Sequence, residues 1–532
     1  MNQLCFLFSL FSIFVFLGCQ QIRYNEIYTN PVIPGCYPDP SICRVGDDYY
    51  TVHSSFEYFP GVPIFHSRDL VHWRQIGYCL TRESQLPLKK MRTSGGIYAP
   101  TLRYHNGLFY MITTNVDGGG NFYVTAKDPR GPWSDPVWLD KGGFDPSLFF
   151  DDDGKVYYTR HEGEAHGYIA QCLLDLKEGK LEGEMKKIWE GTGDIWPEGP
   201  HLYKINGKYY LMIAEGGTSY GHMITIARSE SPWGPFEPNP NNPILTHKHL
   251  KDHPFQALGH GDLVETPDGW WIVFLGIRPK GGYYNHLGRE TFLAPVKWTK
   301  DGWPIVNEGK PIEEIMKAPR LPRFEVEEEA VRDDFDKEEF SLCWNFLRNP
   351  YIENYSLTER PGYLRLYGSE ITMADQDSPT FLGRRQTAME CKVVTKLEFN
   401  PQKENEEAGL VIRGNEANRY ELGITKRDGK RCVFLRKTVK GKLEEPIKYE
   451  GIGEGEVILS IEAKPLSYEF FYQVGDEEPK SLGTALTKYL SFEEVESFLF
   501  TGAYIGLYAT GNGVKSTAPA DFDWFDFIVY KK

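Results

Sequence analysis

Between residues 37 and 271 short apolar runs recur in pairs, and a polar turn splits each pair. Tyr37-Pro38-Asp39-Pro40-Ser41 leads through Asp47-Asp48 to Tyr49-Tyr50-Thr51-Val52. Tyr98-Ala99-Pro100-Thr101-Leu102 leads through Asn106-Gly107 to Leu108-Phe109-Tyr110, and Phe144-Asp145-Pro146-Ser147-Leu148 through Asp153-Gly154 to Val156-Tyr157-Tyr158. Trp196-Pro197-Glu198-Gly199-Pro200-His201-Leu202 leads through Asn206-Gly207 to Tyr209-Tyr210, and His260-Gly261-Asp262-Leu263-Val264 through Asp268-Gly269 to Trp270-Trp271. Asn-Gly and Asp-Gly between apolar runs predict tight hairpins, because both turn residues must accept positive φ. Five such units, repeating at roughly 50 residues, predict a five-bladed β-propeller. The first strand of each blade would line the central axis, so Asp39, Asp145, Glu198 and His260 would converge at one end of one channel.

Further alternating runs supply the outer strands: Val62–Ser67 and Arg74–Tyr78 in the first blade, Phe122–Thr125 in the second, Met223–Ala227 in the fourth. Helical periodicity is nearly absent. The propeller is expected over 22–320, with a connector at about 306–331 that carries Ala318-Pro319-Arg320-Leu321-Pro322 and the acidic run Glu325 to Glu329. Such charge runs are usually solvated. Beyond it the blade repeat stops while strand alternation continues, in Tyr363–Leu366, Ala408–Arg413 and Ala503–Tyr508. Residues 325–532 therefore read as a two-sheet β-sandwich, and the whole chain as all-β.

A chain of 532 residues is too long for one core. Its net charge of −15 argues against a nucleic-acid partner. Aromatics make up 14% of the chain, which suits strands and also the stacking of sugar C–H faces on rings. The nine cysteines show no zinc-type spacing, and no disulfide framework is required. Residues 1–18 hold an apolar run from Leu4 to Leu17 that ends Phe16-Leu17-Gly18-Cys19. This is the anatomy of an export signal with acylation at Cys19, so the protein is expected to be exported and lipid-anchored to a bacterial membrane, on its periplasmic or cell-surface face. The anchor would be its only membrane contact.

Carboxylates on separate blades of a narrow channel suit glycoside hydrolysis with inversion. One must be ionised to take a proton from water; the other must be protonated to give one to the leaving oxygen, across a gap of roughly 6.5–9.5 Å. A third carboxylate can raise the acid's pKa by like-charge repulsion. Singly, Asp-Pro is a common turn and a lone histidine is usually a satisfied core residue. Three acids and a histidine at one position of four repeats carry the functional reading. Asp151, Asp152 and Asp153 are expected to form a solvated hairpin tip rather than a metal cluster.

Asn30–Gly35 through Pro38–Ser41, Phe56–Gly61, Gly143–Ser147, Glu198–Tyr203, Gly259-His260 and Leu287–Thr291 together resemble glycoside hydrolase family 43, in its β-xylosidase and α-L-arabinofuranosidase branch. Ser356–Gly362, Phe500–Ala503 and Ala520–Asp523 resemble the concanavalin A-like domain that accompanies this branch. The resemblance implies an exo-acting inverting hydrolase that releases terminal β-D-xylosyl or α-L-arabinofuranosyl units from hemicellulose glycans. Asp39 would be the base, Asp145 the pKa modulator and Glu198 the acid. Arg289 would bind sugar and favour ionised carboxylates nearby. Phe56 and Tyr98 would wall the pocket, with Tyr98 where many β-xylosidases carry Trp. His260 would lie below the sugar, where some relatives hold calcium; no other cofactor is expected.

Two other readings compete. A retaining fructan hydrolase has the same architecture, but Lys127-Asp128-Pro129-Arg130 poorly matches its second motif. A non-catalytic, lipid-anchored glycan-binding protein would be expected to lack one of the acids, and all three are present. The sandwich is expected to close the propeller mouth, with Phe500 as the aromatic that walls the pocket.

Overall fold

The computed structural model describes residues 23–495 and 499–530, so the leader and Cys19 lie outside the described residues. The chain is all-β, with a five-bladed propeller followed by a β-sandwich. From the axis outward, blade one runs Ser41–Val45, Asp48–Val52, Gly61–Ser67 and Arg74–Leu80. The inner strands of the next four blades are Thr101–His105, Phe144–Phe150, Glu198–Ile205 and Gln256–Thr266. These inner strands pack on one another around the channel. Asn106 and Gly107 have φ of 49° and 83°, and Asn206 and Gly207 of 51° and 81°. Both inner hairpins therefore turn with the doubly positive φ that their Asn-Gly pairs predict.

The ring is closed by its two ends. Ile27–Thr29 pairs antiparallel with Ile315–Lys317. Asn30 then clips the N-terminal segment to blade five: its amide donates to the Leu293 carbonyl at 3.1 Å, and its side-chain oxygen accepts the Leu293 N–H at 3.0 Å. The stretch read as a solvated connector is thus partly structural. Met316, Ala318 and Leu321 are buried in the core of blades four and five, because apolar residues sit between its charges. Charged residues around and after them, Glu313, Glu314, Lys317, Arg320 and the acidic run Glu325 and Glu327 to Glu329, lie exposed. Asp151 also departs from expectation. It is buried and accepts hydrogen bonds from Lys204 Nζ at 2.8 Å and the Tyr209 hydroxyl at 2.7 Å, tying blade three to blade four. Asp152 and Asp153 remain exposed at the turn.

The sandwich packs an eight-stranded sheet on a nine-stranded one. Leu410, Ile412, Leu422 and Leu507 of the larger sheet share a buried core with Leu397, Leu459, Phe470 and Phe522 of the other. The larger sheet takes its last strand from the propeller: Tyr58–Phe59, in a loop of blade one, pairs antiparallel with Asn345–Leu347. Tyr58 is fully buried and stacks on Tyr504, with centroids 3.7 Å apart and rings 6° from parallel. Its hydroxyl accepts from Arg413 Nη1 at 2.6 Å. Nearby, Arg385 donates to the Cys36 carbonyl at 2.7 Å and lies 4.4 Å over the Tyr37 ring.

The two domains therefore share one apolar and hydrogen-bonded seam. Tyr58→Ala is expected to cost about 3–5 kcal/mol, the range for large aromatic truncations in cores, because it also strips a buried guanidinium of its acceptor. Tyr58→Phe should cost less, about 1–3 kcal/mol. Denaturant unfolding of both variants checks the order. A propeller truncated after residue 322 should be insoluble or inactive, since it exposes this seam; a soluble, fully active one would show the sandwich to be dispensable.

Candidate active site

The inner strands open irregularly, and that irregularity aims the site. Register shifts fall between Phe144 and Ser147, between Glu198 and His201, and between Gln256 and Asp262. Bulges re-aim side chains at strand ends. Asp39, Asp145 and His260 all have positive φ, at 54°, 54° and 46°. Few non-glycine residues hold this conformation without compensation from their surroundings, and such positions cluster at functional sites. Gly199, next to Glu198, has φ of 57°, and a Cβ there would lie 2.8 Å from the His260 ring. Only glycine lets blade four pass this close to the imidazole.

Asp39 is buried, with both carboxylate oxygens engaged. Oδ1 accepts from Arg289 Nη1 at 2.8 Å, and Oδ2 from the Ser54 hydroxyl at 2.5 Å. The ring of His260 lies 3.9 Å from Oδ1. Burial alone would push this carboxyl up, but Arg289, His260 and Ser54 together hold it below the usual carboxylate range. Asp39 is therefore ionised at neutral pH.

Asp145 and Glu198 are driven the other way. Burial is the largest cause for both. Glu198 and Asp39 further raise Asp145, while burial and then the negative charge of Asp39 together lift Glu198 to about 8. Charge on Asp145 is favoured by the Gly199 N–H at 3.2 Å and, after it, by the Arg289 guanidinium. Carboxyls this strongly linked titrate as a pair, and the pair retains a proton at neutral pH.

Above the acids, Phe56, Tyr98 and Phe500 form a ring cluster. Centroids lie 5.7 Å apart for Phe56 and Tyr98, 6.0 Å for Phe56 and Phe500, and 5.9 Å for Tyr98 and Phe500. Phe500 comes from the sandwich. The guanidinium of Arg289 lies 5.6 Å over Phe56 and 5.5 Å over Phe500, and it also donates to Thr218 Oγ1 at 3.0 Å.

An ionised carboxylate, a proton-holding carboxyl pair and aromatic rings in one channel agree with the family comparison. The model for glycosyl hydrolases family 43 matches residues 28–304, and that for the β-xylosidase C-terminal concanavalin A-like domain matches 332–528. The chain belongs to glycosyl hydrolases family 43. This family 43 enzyme is 52% identical over 508 residues to a non-reducing end α-L-arabinofuranosidase of Bacteroides ovatus, covering 94% of this chain and 95% of the relative. It is 44% identical to a xylosidase/arabinosidase of Butyrivibrio fibrisolvens, covering 94% and 99%. Among solved structures, that described as Bacteroides ovatus xyloglucan PUL GH43B superposes with a TM-score of 0.91 at 50% identity, covering 95% of this chain and all of that one. A xylan β-1,4-xylosidase of Bacillus halodurans gives 0.90 at 40%, covering 94% and 100%.

The structure brings Asp39, Asp145, Glu198, His260, Arg289, Phe56, Tyr98 and Phe500 to one channel mouth. Sequence reading missed four neighbours of this family 43 site. Phe144 and Trp196, 6.3 Å apart, extend the aromatic wall, and each directly precedes an acid-bearing motif, a signal available in the sequence. Ser54 and Thr218 carry no such signal; only the folded loops bring them to Asp39 and Arg289. The calcium expectation at His260 fits the donor set poorly. Among the described residues no three His, Cys, Asp or Glu side chains form a metal cluster, whereas calcium takes six to eight oxygens. No step is assigned to a metal.

The opposed shifts give opposite pH dependences of stability. The folded protein keeps the Glu198 proton up to about 8, whereas the unfolded chain releases it near 4.5, so this group lowers stability as pH rises across that window. Asp39, shifted down, contributes stability above its unfolded pKa that is lost as pH falls through its folded one. Glu198→Gln should therefore gain thermal stability over the parent between about pH 5 and pH 8. Melting curves that stay parallel across that range would show that Glu198 is not held protonated.

Proposed function

We propose that this family 43 enzyme removes single non-reducing-end pentosyl units from hemicellulose-derived glycans with inversion, α-L-arabinofuranosyl in preference to β-D-xylosyl. One observation carries the reading: an ionised Asp39 lies with a protonated Asp145–Glu198 pair beside the clustered rings of Phe56, Tyr98 and Phe500. Asp39 takes a proton from water as the water attacks the anomeric carbon. Glu198 gives its proton to the departing glycosidic oxygen, and Asp145 helps keep that proton in place beforehand. The two carboxyls then return to their starting states by exchange with solvent. Phe56, Tyr98 and Phe500 offer faces for the sugar's C–H groups, and Thr218 and Arg289 offer polar contacts to its hydroxyls. The preference for arabinofuranosyl rests on the Bacteroides ovatus relative, the more similar of the two curated enzymes compared.

Aryl α-L-arabinofuranoside should be cleaved with a higher kcat/KM than aryl β-D-xyloside; the reverse order would assign the enzyme to xylosides. Proton NMR of early product should show the inverted anomer, whereas initial retention would point to a covalent intermediate of the fructan-hydrolase kind. Asp39→Ala should leave the fold intact and abolish turnover, and a rate above a few per cent of the parent would remove Asp39 as the base. The Leu4–Leu17 run and Cys19 support export with a lipid on Cys19. Cys19→Ala should move the protein from the membrane fraction to the soluble one.

A further inference from the structure

Arg289 touches more than Asp39. Its second terminal nitrogen, Nη2, donates to the main-chain carbonyl of Phe500 at 3.3 Å. The Phe500 N–H in turn donates to Ser94 Oγ at 2.9 Å. The Ser94 N–H donates to Glu57 Oε2 at 3.0 Å. The path from the base thus leaves the propeller at Arg289, crosses one sandwich residue, and re-enters the propeller at Ser94. Both loops it uses are held in costly backbone geometry. Ser94 has φ of 57° and Phe56 of 49°. Phe56 and Ile97 exchange two main-chain hydrogen bonds, at 2.9 and 3.1 Å, that clamp the two loops together. Non-glycine residues keep such conformations where the surroundings over-determine them.

Glu57 is the buried end of this path. It is fully buried, directly follows the pocket residue Phe56, and its own carbonyl accepts the Arg348 N–H at 2.8 Å. Burial pushes its carboxyl up, against the pull of nearby Arg413. Arg348 is itself fully buried and donates to Glu416 Oε1 of the sandwich at 2.7 Å. The acceptor that orients Ser94 is therefore anchored from both domains.

We propose that Ser94 and Glu57 are positioning residues for the hydrolytic reaction: Ser94 Oγ fixes the Phe500 main chain, whose carbonyl holds the Arg289 guanidinium on Asp39. Neither residue touches sugar. The Ser94 hydroxyl oxygen, as acceptor, and its N–H, as donor, both lie on this path. The sandwich then contributes a main-chain carbonyl to the electrostatics of the base, in addition to a ring on the pocket wall. Displacing Phe500 frees one arm of the guanidinium and lets the other drift from the carboxylate that it orients.

This inference rests on the reading of Asp39 as the base, and the variants separate the two. Ser94→Ala removes the hydroxyl and keeps the Cβ, so its backbone cost is that of the parent. Steady-state kinetics on aryl pentosides should show kcat reduced about tenfold to hundredfold, as expected when a reacting group is misplaced by a fraction of an ångström to an ångström. Phe500→Leu keeps the main chain and changes only the wall, and should raise KM with a smaller effect on kcat. Glu57→Ala should reproduce the Ser94→Ala defect, while Glu57→Gln, which retains an oxygen for the Ser94 N–H, should restore at least half of the parent kcat. The proposal is overturned if folded Ser94→Ala turns over like the parent, if it merely copies the KM profile of Phe500→Leu, or if Glu57→Gln is as impaired as Glu57→Ala. Should Ser94→Ala be fully active while Asp39→Ala is dead, only the relay fails; should both be active, the assignment of the base fails with it.

Discussion

Three carboxyls in one narrow channel cannot all be ionised, and the guanidinium of Arg289 decides which one is. It sits 2.8 Å from Asp39 and, with His260 and Ser54, overcomes the burial that would otherwise neutralise that acid. Once Asp39 is charged, its field combines with burial to keep protons on the pair across the channel. The opposite charge states of Asp39 and the Asp145–Glu198 pair thus follow chiefly from one asymmetric contact among chemically similar groups. The blades supply the near-symmetry, and an arginine from the segment just before the third strand of blade five breaks it.

Much of this was legible in the chain. The hairpin turns are local: Asn-Gly accepts positive φ wherever it occurs, so blade count and inner strands could be read from spacing. The acids could be ranked because they share one repeat position. Ser54 and Thr218 could not, since what matters for them is a contact between loops, 15 residues apart for Ser54 and Asp39 and 71 for Thr218 and Arg289, and no periodicity encodes it. Asp151 misled because its two acidic neighbours mark a turn, while its own partners, Lys204 and Tyr209, belong to the next blade. The segment after residue 306 misled for a related reason. Its charge is conspicuous, and its few apolar residues are the ones that dock.

Phe500 shows where local and long-range information meet. On a strand-rich chain a phenylalanine is by default a core residue. Here it is only half-buried, faces Phe56 and Tyr98, and lends its main chain as well as its ring to the propeller. A pocket for one terminal sugar needs a wall on its open side, and the propeller alone has none to offer there. The second domain is in this sense part of the first domain's site.

The strand that blade one lends to the sandwich also bears on how the molecule is made. Tyr58–Phe59 is synthesised nearly three hundred residues before Asn345–Leu347, its partner. The propeller ring cannot shut until Ile315–Lys317 emerges to meet Ile27–Thr29. Both domains are therefore joined through contacts of very long sequence separation, which fold late. Until the sandwich arrives, the nascent chain carries an aromatic strand with no sheet to join, and the finished protein covers with that same strand the sheet edge that would otherwise recruit a stranger.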